Sequence, residues 1–230
     1  LRRQRQMCIR DSVSGSGKTT LVLETLIPAL KAQAAGERLP GHVRWVDAEG
    51  IGRANLIDAT PIGANVRSTV ATYADIHDEL RRAFARTPEA KAAGYKAGAF
   101  SYNTGALRCP TCDGTGSISL DVQFLPDVNI PCPDCRGSRY GKDASKIRCV
   151  TKSGEAYTLP EIMDMDVCTA LSACKDWKLV SQRLNVLNSL GLGYLTLGEE
   201  TPGLSGGEAQ RLKLASEMGK AQSGSVFVFD

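Results

Sequence analysis

No run of apolar residues in this 230-residue chain approaches the roughly 20 needed to cross a bilayer, which argues against a helical membrane span. Histidine is scarce. His42 and His77 stand alone, without the spacing of a metal pair, and read as solvated or core-satisfied side chains. A charge imbalance is also missing: 28 basic residues face 25 acidic ones, and residues 1–12 hold the whole excess. Global charge therefore carries no argument for nucleic acid. No internal repeat is evident, which leaves no basis for a repeat array. What remains, 42% hydrophobic and 23% charged, suffices for a buried core in one large or two smaller domains.

Near the start lies Ser14-Gly15-Ser16-Gly17-Lys18-Thr19-Thr20, ahead of a helical run with Leu21, Leu23, Leu26, Ile27 and Leu30. Glycines let backbone N–H groups wrap phosphates, Lys18 adds a charge and Thr19 can ligate Mg²⁺, so these seven residues form a candidate ATP site. The full phosphate-loop pattern asks for glycine at position 12, where the chain has Ser12, and for an apolar strand upstream. Residues 1–12 are no such strand. They are expected to be foreign to the fold, from a damaged gene end or a cloning scar.

Leu204-Ser205-Gly206-Gly207-Glu208 followed by Ala209-Gln210-Arg211 matches the ABC-ATPase signature. Ser205 and Glu208 have capping-box spacing, so the positive end of a helix is expected to face outward. In that superfamily this end meets the γ-phosphate held by a second ATPase half. Val226-Phe227-Val228-Phe229-Asp230 reads as a buried strand ending in the Walker B acid, with Asp230 and Thr19 as the expected Mg²⁺ ligands. The glutamate that follows this acid in the superfamily is not in the chain, so no catalytic residue is assigned. The fragment is expected to be hydrolytically inactive.

Between these elements stand Cys109-x2-Cys112 and Cys132-x2-Cys135, the spacing of a four-thiolate Zn²⁺ site, with a redox dithiol as the alternative. Turn formers flank each pair, and residues from about 105 to 141 are expected to form a zinc ribbon. Ser117 to Leu125 alternates polar with apolar and suits one of its strands. Cys8, Cys149, Cys168 and Cys174 lack ligand spacing and read as thiols of a reducing cytoplasm. The first knuckle, Cys109-x2-Cys112-x-Gly114-x-Gly116, equals the repeat of DnaJ-type chaperones, whereas the second ends in Arg139. Just beyond it, Arg136, Arg139, Lys142, Lys146 and Arg148 form a local basic excess and are the candidate DNA contacts.

This order of motifs resembles the UvrA family of bacterial excision-repair ATPases, specifically the C-terminal ATPase half. The resemblance covers residues 13–230. It is carried by Val13 to Thr20, Asp58 with Thr60-Pro-Ile-Gly63, Arg67-Ser68 with Ala71-Thr-Tyr73, and Phe100-Ser101 with Asn103. The zinc cysteines with Phe124-Leu-Pro-Asp-Val128, Gly191-Leu-Gly-Tyr194, and Leu204 to Ser216 complete it. It implies an α/β ABC-type P-loop fold, with a mostly parallel sheet from residues 13–60 and 196–230. An inserted helical signature subdomain, 61–195, would carry the ribbon. It also implies ATP, Mg²⁺ and Zn²⁺ as cofactors, lesion-bearing duplex DNA as ligand, a homodimer when full length, and a UvrB-type helicase subunit as partner. One position departs: the family has glutamine after Asp58, and this chain has Ala59. That makes a UvrA-like drug-resistance paralogue with impaired hydrolysis the alternative. A membrane-transporter ATPase or a DnaJ-like zinc module fits the motifs less well. Helices are expected over 75–86 and about 160–190, the latter on the spacing of Leu179, Leu184, Leu187 and Leu190.

Overall fold

The computed structural model describes residues 17–63, 65–120, 128–218 and 223–229. Its contacts divide the chain into two units, residues 1–58 with 221–230, and residues 59–220.

In the first unit, helix α1 (Lys18–Thr20) starts directly after Gly17, whose φ of 82° is left-handed and suits glycine. A π-helical stretch, Leu21–Leu26, leads into α2 (Ile27–Ala35). Pro28 explains the widening. Its ring cannot donate to the helix and would clash with the carbonyl four residues back, so the turn before it opens. Leu30 packs with Ala48 and Ala54 in a small core, while Leu21 and Leu26 stay exposed, so the expected apolar face is only half used. Strand β1 (Arg53–Ile57) pairs in parallel with Ser225–Phe229, from Arg53 opposite Ser225 to Ile57 opposite Phe229. The latter strand, expected to be buried, is half-buried and ends with Phe229 exposed. Among the described residues it has one partner strand, so one edge and part of each face remain uncovered.

The second unit holds the larger core. Helices α3 (Val70–Tyr73), α4 (Ile76–Phe84) and α5 (Pro88–Ala92) come first, and α4 buries Ile76, His77, Leu80 and Phe84 on one face. Two short antiparallel pairs follow in chain order: β2 (Ser117–Leu120) pairs with β3 (Val128–Pro131), and β4 (Arg148–Val150) with β5 (Ala156–Thr158). Where one long helix was expected there are three: α6 (Leu159–Met163), α7 (Val167–Ala173) and α8 (Lys178–Ser189). The start of the first helix and the break before the second are written in caps. Thr158 accepts from the N–H of Glu161, whose carboxylate takes the N–H of Thr158 in return, and Asp166 accepts from the N–H of Thr169. On α8, Val180, Leu184 and Leu187 face the core, whereas Leu179 is exposed.

Helix α9 (Gly206–Met218) buries Ala209, Leu212 and Ala215 in this same core. Residues 196–220, expected with the ATP-binding part, therefore lie with the second unit, because that is where their apolar face finds partners. His77 sits in the core. Its Nε2 is 2.7 Å from the hydroxyl of Tyr140, which donates to the carbonyl of Phe100 at 3.0 Å. With its one proton spent there, Tyr140 must accept from the ring, so Nε2 of His77 carries a hydrogen, and burial, which lowers the ring's pKa to about 3, favours the neutral form. No helix among the described residues is long and apolar enough to cross a membrane.

Candidate functional site

The four cysteines meet. Their sulfurs all lie within 4.8 Å of one another, with Cys109 Sγ 3.9 Å from Cys132 Sγ and Cys112 Sγ 3.6 Å from Cys135 Sγ. A tetrahedral ion with Zn–S bonds of about 2.3 Å sets its sulfurs about 3.8 Å apart, so the donor set fits zinc in both chemistry and size. All four are buried or nearly so. Each pair is turned inward by the same device: the residue after the second cysteine and the glycine that follows are left-handed, Asp113 and Gly114 in one knuckle, Arg136 and Gly137 in the other. At Gly114 the space is closed as well, since an added Cβ would stand 1.7 Å from the carbonyl of Tyr102. Burial raises the Cys112 thiol, but the N–H of Gly116 and the neighbouring thiols lower it by more, to about 7. The strands β2 and β3 rise from the two knuckles as the expected ribbon, although residues 121–125 of the expected Ser117 to Leu125 strand lie outside the described residues.

At the start of α9 the capping box is complete. Ser205 Oγ accepts from the N–H of Glu208 at 3.4 Å, and Glu208 Oε2 accepts from both the N–H and the hydroxyl of Ser205, each at 2.7 Å. Tyr194 donates its hydroxyl to the other oxygen of Glu208. The hydroxyls of Tyr194 and Ser205 together hold the Glu208 carboxyl below its ordinary range. Tyr194 is the participant that motif reading missed as a contact; its signal was only its place in the Gly191-Leu-Gly-Tyr194 string. Gly206 lies close to Ala59, where an added Cβ would be 3.2 Å from the Ala59 carbonyl. Lys213 reaches Thr60 twice, at 2.8 Å to its carbonyl and 2.8 Å to its hydroxyl. The departure from the family at Ala59 thus sits against the signature helix. Leu204 is buried and Gly207 faces open space.

Of the candidate phosphate-loop residues, Gly17, Lys18, Thr19 and Thr20 form the left-handed turn and first helical turn described above. Ser14, Gly15 and Ser16 lie outside the described residues, as does Asp230.

The basic candidates divide. Arg136, Lys142, Lys146 and Arg148 are exposed, with Lys146 paired to Asp143 and Arg148 to Glu161. Arg139 is not a surface cation. Only 4% exposed, it is paired with Glu200 at 2.8 Å and lies over the ring of Tyr102, so the DNA role expected for it is withdrawn.

No family model matches the chain. It is 41% identical over 221 residues to UvrABC system protein A of Micrococcus luteus, covering 95% of this chain and 22% of that protein. The corresponding protein of Bacillus subtilis is also 41% identical over 221 residues, with 95% of this chain and 23% of the relative covered. The crystal structure of UvrA2 from Deinococcus radiodurans matches with a TM-score of 0.79 at 40% identity, over 95% of this chain and 26% of that one. The chain spans about a fifth of the length of the curated relatives it matches. Over 95% of its length the chain is homologous to UvrABC system protein A of many bacteria.

Proposed function

We propose that this chain is part of an ABC-type P-loop ATPase that engages damaged duplex DNA in nucleotide excision repair, with ATP and Mg²⁺ controlling that engagement. The observation that carries the reading is the closed capping box at Ser205 and Glu208, on a 13-residue helix, in a chain that also has the Lys18 loop. A helix so capped presents its free N–H groups and positive end to an anion, as needed for the γ-phosphate of a second ATPase half. Zinc, when bound, supplies a cross-link that fixes the ribbon; four thiolates leave no open position for water, so its role is structural. Cys109, Cys112, Cys132 and Cys135 would hold it. A homodimer and a UvrB-type helicase subunit complete the reading for the whole protein.

Lys18 is the phosphate loop's side-chain cation in this reading. Lys18→Ala is expected to weaken ATP binding by roughly a hundredfold, on the scale of charged hydrogen bonds to phosphate. Ser205→Ala should spare that affinity while impairing association of two ATPase halves. Isothermal titration with a non-hydrolysable ATP analogue decides it, and equal affinity in the Lys18 variant overturns the assignment. Ala59 supports a second, narrower statement: a methyl group neither ligates Mg²⁺ nor orients water, so turnover at this site is slow, as in the drug-resistance alternative. Ala59→Gln accelerating hydrolysis in the full-length protein would support it.

DNA contact in this reading is chiefly to phosphate, because a protein that accepts many lesions reads shape and deformability rather than base edges. Arg136, Lys142, Lys146 and Arg148 are the exposed cations for it. If all four engage, the log–log slope of affinity against salt is about −4. Reversing the four charges should bring the slope toward zero in a fluorescence anisotropy titration, and an unchanged slope removes them from the interface.

A further inference from the structure

The two zinc knuckles share their cysteines and a left-handed pair, but they part at a glycine position. Two residues after its left-handed pair, the first knuckle has Gly116 at φ 82°, and the second has Arg139 at φ 71°. Glycine takes such a backbone freely, whereas arginine is strained there. A side chain kept at a glycine position persists because its surroundings hold it, and the residue is then worth asking about.

The main chain of Arg139 is tied to the tetrad: its carbonyl accepts from the N–H of Cys109 at 2.9 Å, and it stands four residues after Cys135. Its side chain runs the other way. One guanidinium nitrogen pairs with Glu200 Oε1 at 2.8 Å, the other donates to the carbonyls of Val66 at 3.2 Å and Gly114 at 3.5 Å, and the group stands 5.3 Å from the centre of the Tyr102 ring. Glu200 opens the turn that delivers the signature. Its carbonyl accepts from the N–H of Gly203, the carbonyl of Thr201 from that of Leu204, and the N–H of Thr201 donates to Ser68. Arg67, next to Ser68, in turn reaches back to the knuckle residue Asp113 at 3.0 Å.

Packing beside this tie is thin. Cavities of about 570 and 390 Å³ are both lined by Gly137, Arg139, Gly198 and Glu199, so the guanidinium crosses ground that apolar contacts do not fill. A shift of the second knuckle is therefore felt at Glu200 through a planar, charged group that one nitrogen ties to Glu200 and the other to the carbonyls of Val66 and Gly114.

We propose that Arg139 is a positioning residue that couples metal occupancy of the cysteine tetrad to the order of the turn carrying the signature, residues 199–205. Emptying the tetrad frees the backbone of Arg139, and the ion pair passes that freedom to the turn. The inference rests on the tetrad holding zinc and on residues 204–208 serving as the signature, and its test separates these from the coupling itself.

Arg139→Gly restores the residue that the first knuckle uses. In the full chain it should keep one zinc per chain by elemental analysis, since the left-handed strain is relieved, while a knuckle that merely needs its arginine would lose the metal. Hydrogen exchange at the amides of Thr201, Gly203, Leu204, Ser205 and Ala209 should then run on the order of tenfold faster than in the unaltered chain. Removing zinc from the unaltered chain should give the same acceleration, and removing it from the variant none beyond that. Exchange unchanged in the zinc-loaded variant, or indifferent to zinc removal in the unaltered chain, overturns the coupling while leaving the metal site standing. A chain that takes up no zinc overturns the tetrad and the coupling together. Should Arg139→Gly fail to fold, Glu200→Gln removes only the partner's charge, and the same acceleration or its absence decides the matter.

Discussion

Stripping zinc from this chain with a strong chelator is expected to lower its melting temperature by about 8–16 °C. A ligand that binds the folded state at a free concentration a thousandfold above its dissociation constant stabilises it by about 4 kcal/mol, and each kcal/mol shifts the midpoint of a chain of 150–250 residues by about 2–4 °C. Structural zinc reaches that regime, because the four thiolates are gathered only in the folded state. Among the described residues the tetrad has little apolar support: besides the four cysteines its cluster includes the half-buried Ile118. The metal therefore supplies much of what holds these two knuckles together. Cys132→Ser is the sharpest single change, because Cys132 is wholly buried and its N–H is held by the carbonyl of Gly116. Differential scanning calorimetry on zinc-loaded and chelated chain checks the shift, and elemental analysis checks the metal. A midpoint that does not move, in a chain shown to have lost zinc, would refute a structural role.

What the sequence made legible is what local chemistry dictates. Cysteine spacing with glycine knuckles specified the tetrad, since few backbones turn two thiolates onto one point and the required left-handed residues are visible as Gly114 and Gly137. The Ser205–Glu208 box was legible for the same reason: both partners lie within one helical turn. Long-range pairing was not legible. Arg139 looked like its basic neighbours because nothing in the string Cys135 to Arg148 shows that Glu200 waits for it in the fold. The expected grouping of residues 196–230 with 13–60 did not show that Ala209, Leu212 and Ala215 settle in the core to which α8 contributes Leu184 and Leu187. The start expected at about 160 agrees with a helix beginning at Leu159, whereas the break at 166 was missed although its cap, Asp166, is an ordinary one, because leucine spacing was given more weight than capping residues.

Acid should destabilise the second unit through His77, by about 3 kcal/mol between pH 7 and pH 4.5. Burial lowers the ring's pKa from 6.5 to about 3, the positive charge of Arg81 adds to this, and Asp78 offsets only part. The unfolded chain takes up a proton on this ring below pH 6.5, and the folded chain does not until about pH 3. Stability is thus whole above 6.5 and declines by about 1.4 kcal/mol per pH unit from there toward 3. The ring cannot escape by rotating its charge outward. It is packed 4.9 Å from the Tyr102 ring, and its Nε2–H is committed to the Tyr140 hydroxyl that serves Phe100. Other groups titrate in the same window and zinc affinity itself falls with acid, so the quantity to read is a difference between two chains. His77→Gln keeps an N–H donor for Tyr140 and removes the titration. Urea unfolding of both chains at several pH values, zinc present throughout, should show the unaltered chain losing about 3 kcal/mol more than the variant by pH 4.5. A stability difference that stays constant with pH would mean that His77 takes up its proton in the fold as readily as in the unfolded chain, and that its burial against Tyr102 and Tyr140 does not hold the ring neutral.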